Sequence, residues 1–203
     1  MPLLIATSNR GKLREFQEIL GAQFADLLIP ADAGLQLDVA ETGSSYAENA
    51  ALKAQAYCQA SGLACIADDS GLEVDALDGA PGLYSARFGA GQVSGDGGRR
   101  AYLLEKLAGC PQPQGAPGWP AHFHCTVAVA VPGLALRTFD GRCAGYILRE
   151  ERGQNGFGYD PLFFMAEYGK TMAELPEEVK NQISHRARAL QAALPLLLEL
   201  NQG

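Results

Sequence analysis

The chain opens on an unbroken apolar run, Leu3-Leu4-Ile5-Ala6, then a polar stretch, "TSNRGK", then Leu13, Phe16 and Leu20 at helical spacing. A short apolar run followed by residues three to four apart predicts strand, loop, helix, with Thr7 to Lys12 at the helix amino end. "SYAENAALKAQAYCQA" predicts a second helix: Ser45 with Glu48 three residues later is a capping box, and Gly62 is a stop. The apolar stretch Leu63 to Ala67 reads as a buried strand that ends in a loop at Asp68 and Asp69. After a short further strand, the glycine- and proline-rich residues up to Gly98 read as a long irregular excursion, and Arg99 to Leu107 as a short helix. "CPQPQGAPGWPA" punctuates the chain and marks a lobe boundary near 110–121. Beyond it "FHCTVAVAV", "LALRTFD" and "RCAGYILRE" predict a three-strand meander joined by PG and DG turns. "QNGFGYDPLFF" is a second glycine-rich loop, and "KNQISHRARALQAALPLLLEL" closes the chain as one helix with Ser184 as a cap. The pattern describes an α/β fold with a mixed sheet.

Composition narrows the function classes. The 203 residues suit one domain or two joined lobes, and 47% hydrophobic with 19% charged residues is an ordinary globular balance. A net charge of -7 argues against non-specific binding to nucleic acid or to anionic membranes, which calls for basic surface. The five cysteines have irregular gaps and no CxxC pair, so neither a disulfide framework nor a zinc site is indicated; Cys65, Cys125 and Cys143 read as core residues. The amino terminus lacks a signal-peptide pattern, and "ALPLLLEL" is too short to span a bilayer. A cytoplasmic setting is expected.

Three groups carry candidate chemistry. The strand-to-helix loop "SNRGK" offers backbone N–H groups at the positive end of a helix, a seat for phosphate, with Lys12 in the first turn and Ser8 and Asn9 as polar partners. It is not a Walker A loop, because Leu13 stands where Ser or Thr is required. Asp68 and Asp69 lie at the carboxyl end of a buried strand, where open α/β sheets place ligands. Joined by Glu41, they would suit Mg²⁺, which takes one or two carboxylates with water and phosphate oxygens; the plain alternative is a turn before Gly71. Asn49 and Lys53, four apart, share a helix face. His122 and His124 share a strand face without a third ligand nearby in sequence. Phe157, between glycines in "GFGYDP", could stack on a base.

"TSNRGK", "ETGSSYAENAALKA", "ADDSGLEVDALDGAPGLYSARF", "NGFGYDPLFF" and "KNQISHRARAL" follow one another from Thr7 to Leu190. In that order they closely resemble the inosine/xanthosine triphosphate pyrophosphatase family. The resemblance implies a two-lobed α/β fold with helices flanking a mixed sheet and a deep cleft between the lobes. It also implies a homodimer, Mg²⁺ dependence, and hydrolysis of ITP, dITP or XTP to a nucleoside monophosphate and pyrophosphate. It assigns phosphate binding to Thr7, Ser8, Asn9, Arg10, Gly11 and Lys12, metal binding to Glu41 and Asp69, and proton acceptance to Asp69; the sequence leaves open whether the adjacent Asp68 takes or shares that catalytic role. Lys53 matches a phosphate-facing catalytic lysine and Ser70 a substrate contact. The base pocket falls on Phe157, Gly158, Tyr159, Asp160, Lys180, His185 and Arg186. Ala40 departs from members that carry a second acid before the ETG glutamate. Two rival readings are a septum-inhibitor-like pyrophosphatase, disfavoured by "FGYDP" and "SHR", and a nucleotide sensor without turnover.

Overall fold

A computed structural model describes residues 1–202. Seven strands form one mixed sheet in the order β2-β1-β3-β4-β5-β6-β7. They are β1 (Leu3–Ile5), β2 (Leu27–Leu28), β3 (Ala64–Val74), β4 (Trp119–Ala130), β5 (Arg137–Ile147), β6 (Phe163–Met165) and β7 (Lys170–Thr171). β1 runs parallel to both β2 and β3, with Leu4 opposite Cys65, whereas β6 runs antiparallel to β5 and β7. The helices are α1 (Arg10–Leu20), α2 (Tyr46–Ser61), α3 (Gly95–Leu107), α4 (Glu177–Ile183) and α5 (His185–Gln202).

The chain divides into two compact units. The first holds Met1–Asp69, Cys125–Gly141 and the chain from His185 onward; the second holds Ser70–His124 and Arg142–Ser184. The loop at 110–121, expected at a lobe boundary, lies inside the second unit. β3, β4 and β5 each contribute to both units, so the chain passes from one to the other three times within strands and once between α4 and α5, not at that loop.

Strand alternation organises the first unit. Leu3, Ile5, Ala64, Ile66, Cys125 and Val127 point to one face and pack on Phe16 and Leu20 of α1 and on Ala189, Leu190, Ala193 and Leu197 of α5. Leu4, Ala6, Cys65, Ala67 and Ala128 point to the other and pack on Ala50, Ala54 and Tyr57 of α2. This is a helix–sheet–helix sandwich. The second unit builds its own core from Leu72, Val74, Trp119, Phe123, Phe163 and Met172, closed by Leu103 and Leu107 of α3.

Several local expectations change. β3 does not end before the aspartates but runs through them to Val74. Inside the excursion that follows are two short 3-10 helices, Asp75–Leu77 and Gly82–Arg87, and α3 begins at Gly95, four residues early. The capping box at α2 is half formed: the Ser45 hydroxyl accepts the Glu48 N–H at 3.2 Å, while the Glu48 carboxylate accepts from Ser44 rather than Ser45. The closing helix is two helices, broken at Ser184, whose extended backbone (ψ 159) interrupts the ladder.

The expected meander has two long strands where three were predicted, because Asp140-Gly141 lies inside β5 instead of turning. Gly141 serves close approach: a Cβ there would lie 2.1 Å from the His185 carbonyl oxygen and 2.4 Å from the Ala189 nitrogen. Both obstacles are helix backbone and cannot swing aside. Gly141→Ala is therefore expected to destabilise the protein by about 2–3 kcal/mol, the range of overpacked core positions, read from a urea-unfolding midpoint.

Candidate active site

The alternation that builds the first unit's core continues into β3's polar end. Asp68 follows Ala64 and Ile66 toward α1 and α5; Asp69 follows Cys65 and Ala67 toward α2. Two adjacent acids thus enter two different environments, which removes most of the repulsion that their sequence proximity suggests.

Asp68 is 2% exposed and surrounded by cations. Its Oδ2 accepts from Arg186 Nε at 3.1 Å and Nη2 at 3.0 Å, pairs with Lys12 Nζ at 3.1 Å, and lies 3.7 Å from the Cys125 thiol. Its Oδ1 is buried without a hydrogen-bond partner among the described residues. Burial alone would raise its pKa, but the charges of Lys12, Arg186 and Lys53 together outweigh that and hold the carboxyl well below the usual range. The same burial raises the Cys125 thiol, so this cysteine is an inert donor.

A depressed folded-state pKa contributes stability that is present above the ordinary value of 3.8 and is lost as pH falls below it. Thermal melts are accordingly expected to show Tm falling steeply below about pH 4, and Asp68→Asn to flatten that limb.

Asp69 has a looser environment. Asn49 Nδ2 donates to its Oδ2 at 3.0 Å, and Lys53 Nζ stands 3.8 Å from its Oδ1. Here desolvation prevails over Lys53, Lys12 and the Asn49 hydrogen bond, and the pKa is raised. Asp69 is the more basic of the two carboxylates. Lys53 also binds Glu41 at 2.6 Å, so one ammonium faces both acids; burial would lower its pKa, but Asp68, Asp69 and Glu41 raise it. Asn49 ties the arrangement together, its Oδ1 accepting the Gly43 N–H at 2.8 Å and so holding the Glu41–Gly43 loop against α2.

The phosphate seat is more occupied than the sequence predicts. Thr7 Oγ1 accepts the Asn9 N–H at 3.2 Å, and Asn9 Oδ1 accepts the Gly11 and Lys12 N–H groups at 2.9 and 3.1 Å. Asn9 is the N-cap of α1, and its short amide reaches the amides that the loop was expected to leave open. Ser8 and Arg10 remain exposed beside it.

Arg186 is the largest departure. It is 1% exposed, with Nη1 on Glu15 and Nε and Nη2 on Asp68. A buried guanidinium calls for paired carboxylates, and here each of its three nitrogens donates to one. Sequence reasoning missed Glu15 and Cys125. Glu15 was legible as an acid one residue before Phe16, on the buried side of α1; nothing marked Cys125 beyond its apolar neighbours. His185, the first residue of α5, is also buried.

The remaining expected residues lie in the second unit. Ser70 is half-buried on β3, next to Asp69. Asp160 Oδ2 accepts the Phe157 N–H at 3.1 Å and pairs with Lys180 at 2.6 Å, and the Lys180 ammonium lies 5.0 Å from the centre of the Phe157 ring. The Tyr159 hydroxyl donates to the Ser85 carbonyl at 2.9 Å, and burial pushes this phenol above its ordinary range. Tyr159, Asp160 and Lys180 are each 5% exposed, so they brace the loop; Phe157 and Gly158 are its partly exposed members. Gly156 (φ 75) is obligatory, since a Cβ would lie 2.1 Å from Asp160 Oδ2.

An open mixed sheet whose central strand delivers paired aspartates among lysines defines an α/β protein of the phosphate-handling kind. The chain belongs to the Ham1 family, whose model matches residues 3–196. The dITP/XTP pyrophosphatase of Geobacillus kaustophilus is 51% identical over 191 residues, covering 93% of this chain and 90% of the relative. That of Desulforamulus reducens is 46% identical over 200 residues, 98% of this chain and 97% of the relative. The solved structure of a HAM1 protein from Coxiella burnetii superposes with a TM-score of 0.84 at 37% identity, covering 98% of this chain and 99% of that one. Among the described residues no helix is long and apolar enough to cross a membrane.

Proposed function

We propose that this chain hydrolyses non-standard purine nucleoside triphosphates, dITP, XTP and ITP, to the monophosphate and pyrophosphate. The observation that carries the reading is the cluster on β3: Asp68 locked by Lys12 and Arg186, with Asp69 beside it facing Lys53 and Glu41. Relatives bearing the name dITP/XTP pyrophosphatase at up to 51% identity support the substrate class.

Charge supports a divalent cation. Glu15, Glu41, Asp68 and Asp69 stand against Lys12, Lys53 and Arg186, four negative charges against three positive. Such a cluster has no surplus positive charge for a polyanionic triphosphate. Glu41 and Asp69, which already share one ammonium, are hard oxygen ligands of the type Mg²⁺ takes with water and phosphate oxygens; among the described residues no third acid joins them in a metal-holding group. Glu41 and Asp69 would hold it, and when bound it supplies neutralisation of the phosphate oxygens and a more acidic water.

The chain's own residues do the rest. Lys12 and Lys53 bring cationic hydrogen-bond donors to the phosphates. Asp69 Oδ1 takes the proton of the water attacking the α-phosphorus, while the bond to the β-phosphate bridging oxygen breaks and pyrophosphate departs. Asp68, held by three donor nitrogens on one oxygen, is the poorer base and keeps Lys12 and Arg186 in place. The family resemblance assigns base recognition to the loop around Phe157. It also implies a homodimer, which light scattering would measure.

The test incubates the protein with Mg²⁺ and dITP, XTP, dATP or dTTP and identifies the products. Monophosphate and pyrophosphate from dITP and XTP are expected. Release of orthophosphate, or equal use of dATP, would overturn the assignment.

A further inference from the structure

Gly158 is gripped from both sides by one helix. Asp96 Oδ2 accepts the Gly158 N–H at 2.7 Å, and Arg100 Nη1 donates to the Gly158 carbonyl at 2.9 Å. Asp96 and Arg100 are four apart near the start of α3 and so lie on one face of it. Each is itself paired: Asp96 Oδ1 with Arg99, and Arg100 with the Glu151 carboxylate, which stands 2.9 Å from Nε as an ion pair without hydrogen-bond geometry. A carboxylate on an N–H and a guanidinium on a carbonyl are both charge-assisted contacts, stronger than ordinary backbone pairing.

The loop they hold would otherwise be soft. Gly156 and Gly158 both occupy the left-handed region, at φ 75 and 60, where glycine has several accessible conformations. Asp160 and Lys180 fix the amino side of the loop through the Phe157 N–H and ring. The Asp160 N–H also donates to the Phe157 carbonyl at 3.2 Å, on the peptide that joins Phe157 to Gly158. Asp96 holds the N–H side of that peptide, and Arg100 the carbonyl of the next one.

We propose that Asp96 and Arg100 are positioning residues for nucleobase recognition, orienting the two peptides that flank Gly158 and with them Phe157. This rests on the assignment of the Phe157 loop to the base. The pair belongs to the second unit, whereas the carboxylates and lysines assigned to the chemistry belong to the first. Its loss therefore weakens substrate binding and leaves the chemical step intact.

The experiment measures KM and kcat for dITP with wild type, Asp96→Ala, Asp96→Asn and Arg100→Ala. Glu105→Ala, exposed on the same helix, is the control. Asp96→Ala and Arg100→Ala are expected to raise KM about ten-fold or more, the scale of one charge-assisted hydrogen bond, with kcat within about two-fold. Asp96→Asn keeps an acceptor oxygen and should recover most of the KM, and Glu105→Ala should match wild type. An active wild type with unchanged KM in both alanine variants overturns the proposal, as does an asparagine variant no better than alanine. Should Asp96→Ala fail to fold, Arg100→Ala reads the carbonyl half of the grip alone. A wild type that releases no pyrophosphate from dITP overturns instead the activity on which the proposal rests.

Discussion

Asp69→Asn is expected to lower kcat for dITP by roughly 10²–10⁴-fold, the range for removing a general base, with Tm little changed. The amide is isosteric and still presents an oxygen to Asn49 Nδ2, so the hydrogen bond at 3.0 Å persists and the fold has no reason to yield. What is lost is the negative charge on Oδ1, which faces Lys53 and Glu41. The direction of the pKa shifts makes the contrast with Asp68 sharp, because burial leaves Asp69 the more basic group while Lys12 and Arg186 hold Asp68 ionised. Steady-state kinetics beside a thermal melt decide the point. A kcat within ten-fold of wild type would remove Asp69 from the proton-accepting role.

Arg186→Met is expected to cost about 3–5 kcal/mol of folding stability, the scale for breaking a buried ion pair from one side. Methionine fills much of the volume, but Glu15 and Asp68 are left in an apolar interior without the guanidinium that joined them. For a chain of this size the change corresponds to a fall in Tm of roughly ten degrees. The companion Glu15→Gln in the same chain removes one orphaned charge and should recover part of the loss. The double variant being no more stable than Arg186→Met would show that Glu15 and Arg186 do not act as a pair. Arg186 spans α5 to both α1 and β3, so the variant also loosens the element that presents Asp68.

The helical spacing of α1, the Ser45 cap of α2 and the Gly62 stop were legible because each is a local decision of a few residues. The family was legible too, since five ordered motifs span the chain. Errors arose wherever a local signal met a tertiary contact. Asp140-Gly141 has the composition of a hairpin turn, yet the glycine admits the backbone of α5 inside a strand. Asp68-Asp69 has the composition of a loop, yet each acid finds cations or donors across the strand, so the ladder continues. "SHRARAL" is helical by pattern, but the chain breaks at Ser184 and starts a new helix.

By itself the sequence determined the α/β class, most of the strands that carry the core and the family, because hydrophobic period and motif order are properties of neighbouring positions. Which partner each charge takes was decided only by the tertiary structure. Alternation along β3 sends Asp68 to Lys12 and Arg186 and Asp69 to Asn49 and Lys53, so that the cations hold the first carboxyl low while burial raises the second. Those pairings join residues as far apart as Glu15 and Arg186. No spacing rule reaches across that distance; packing does.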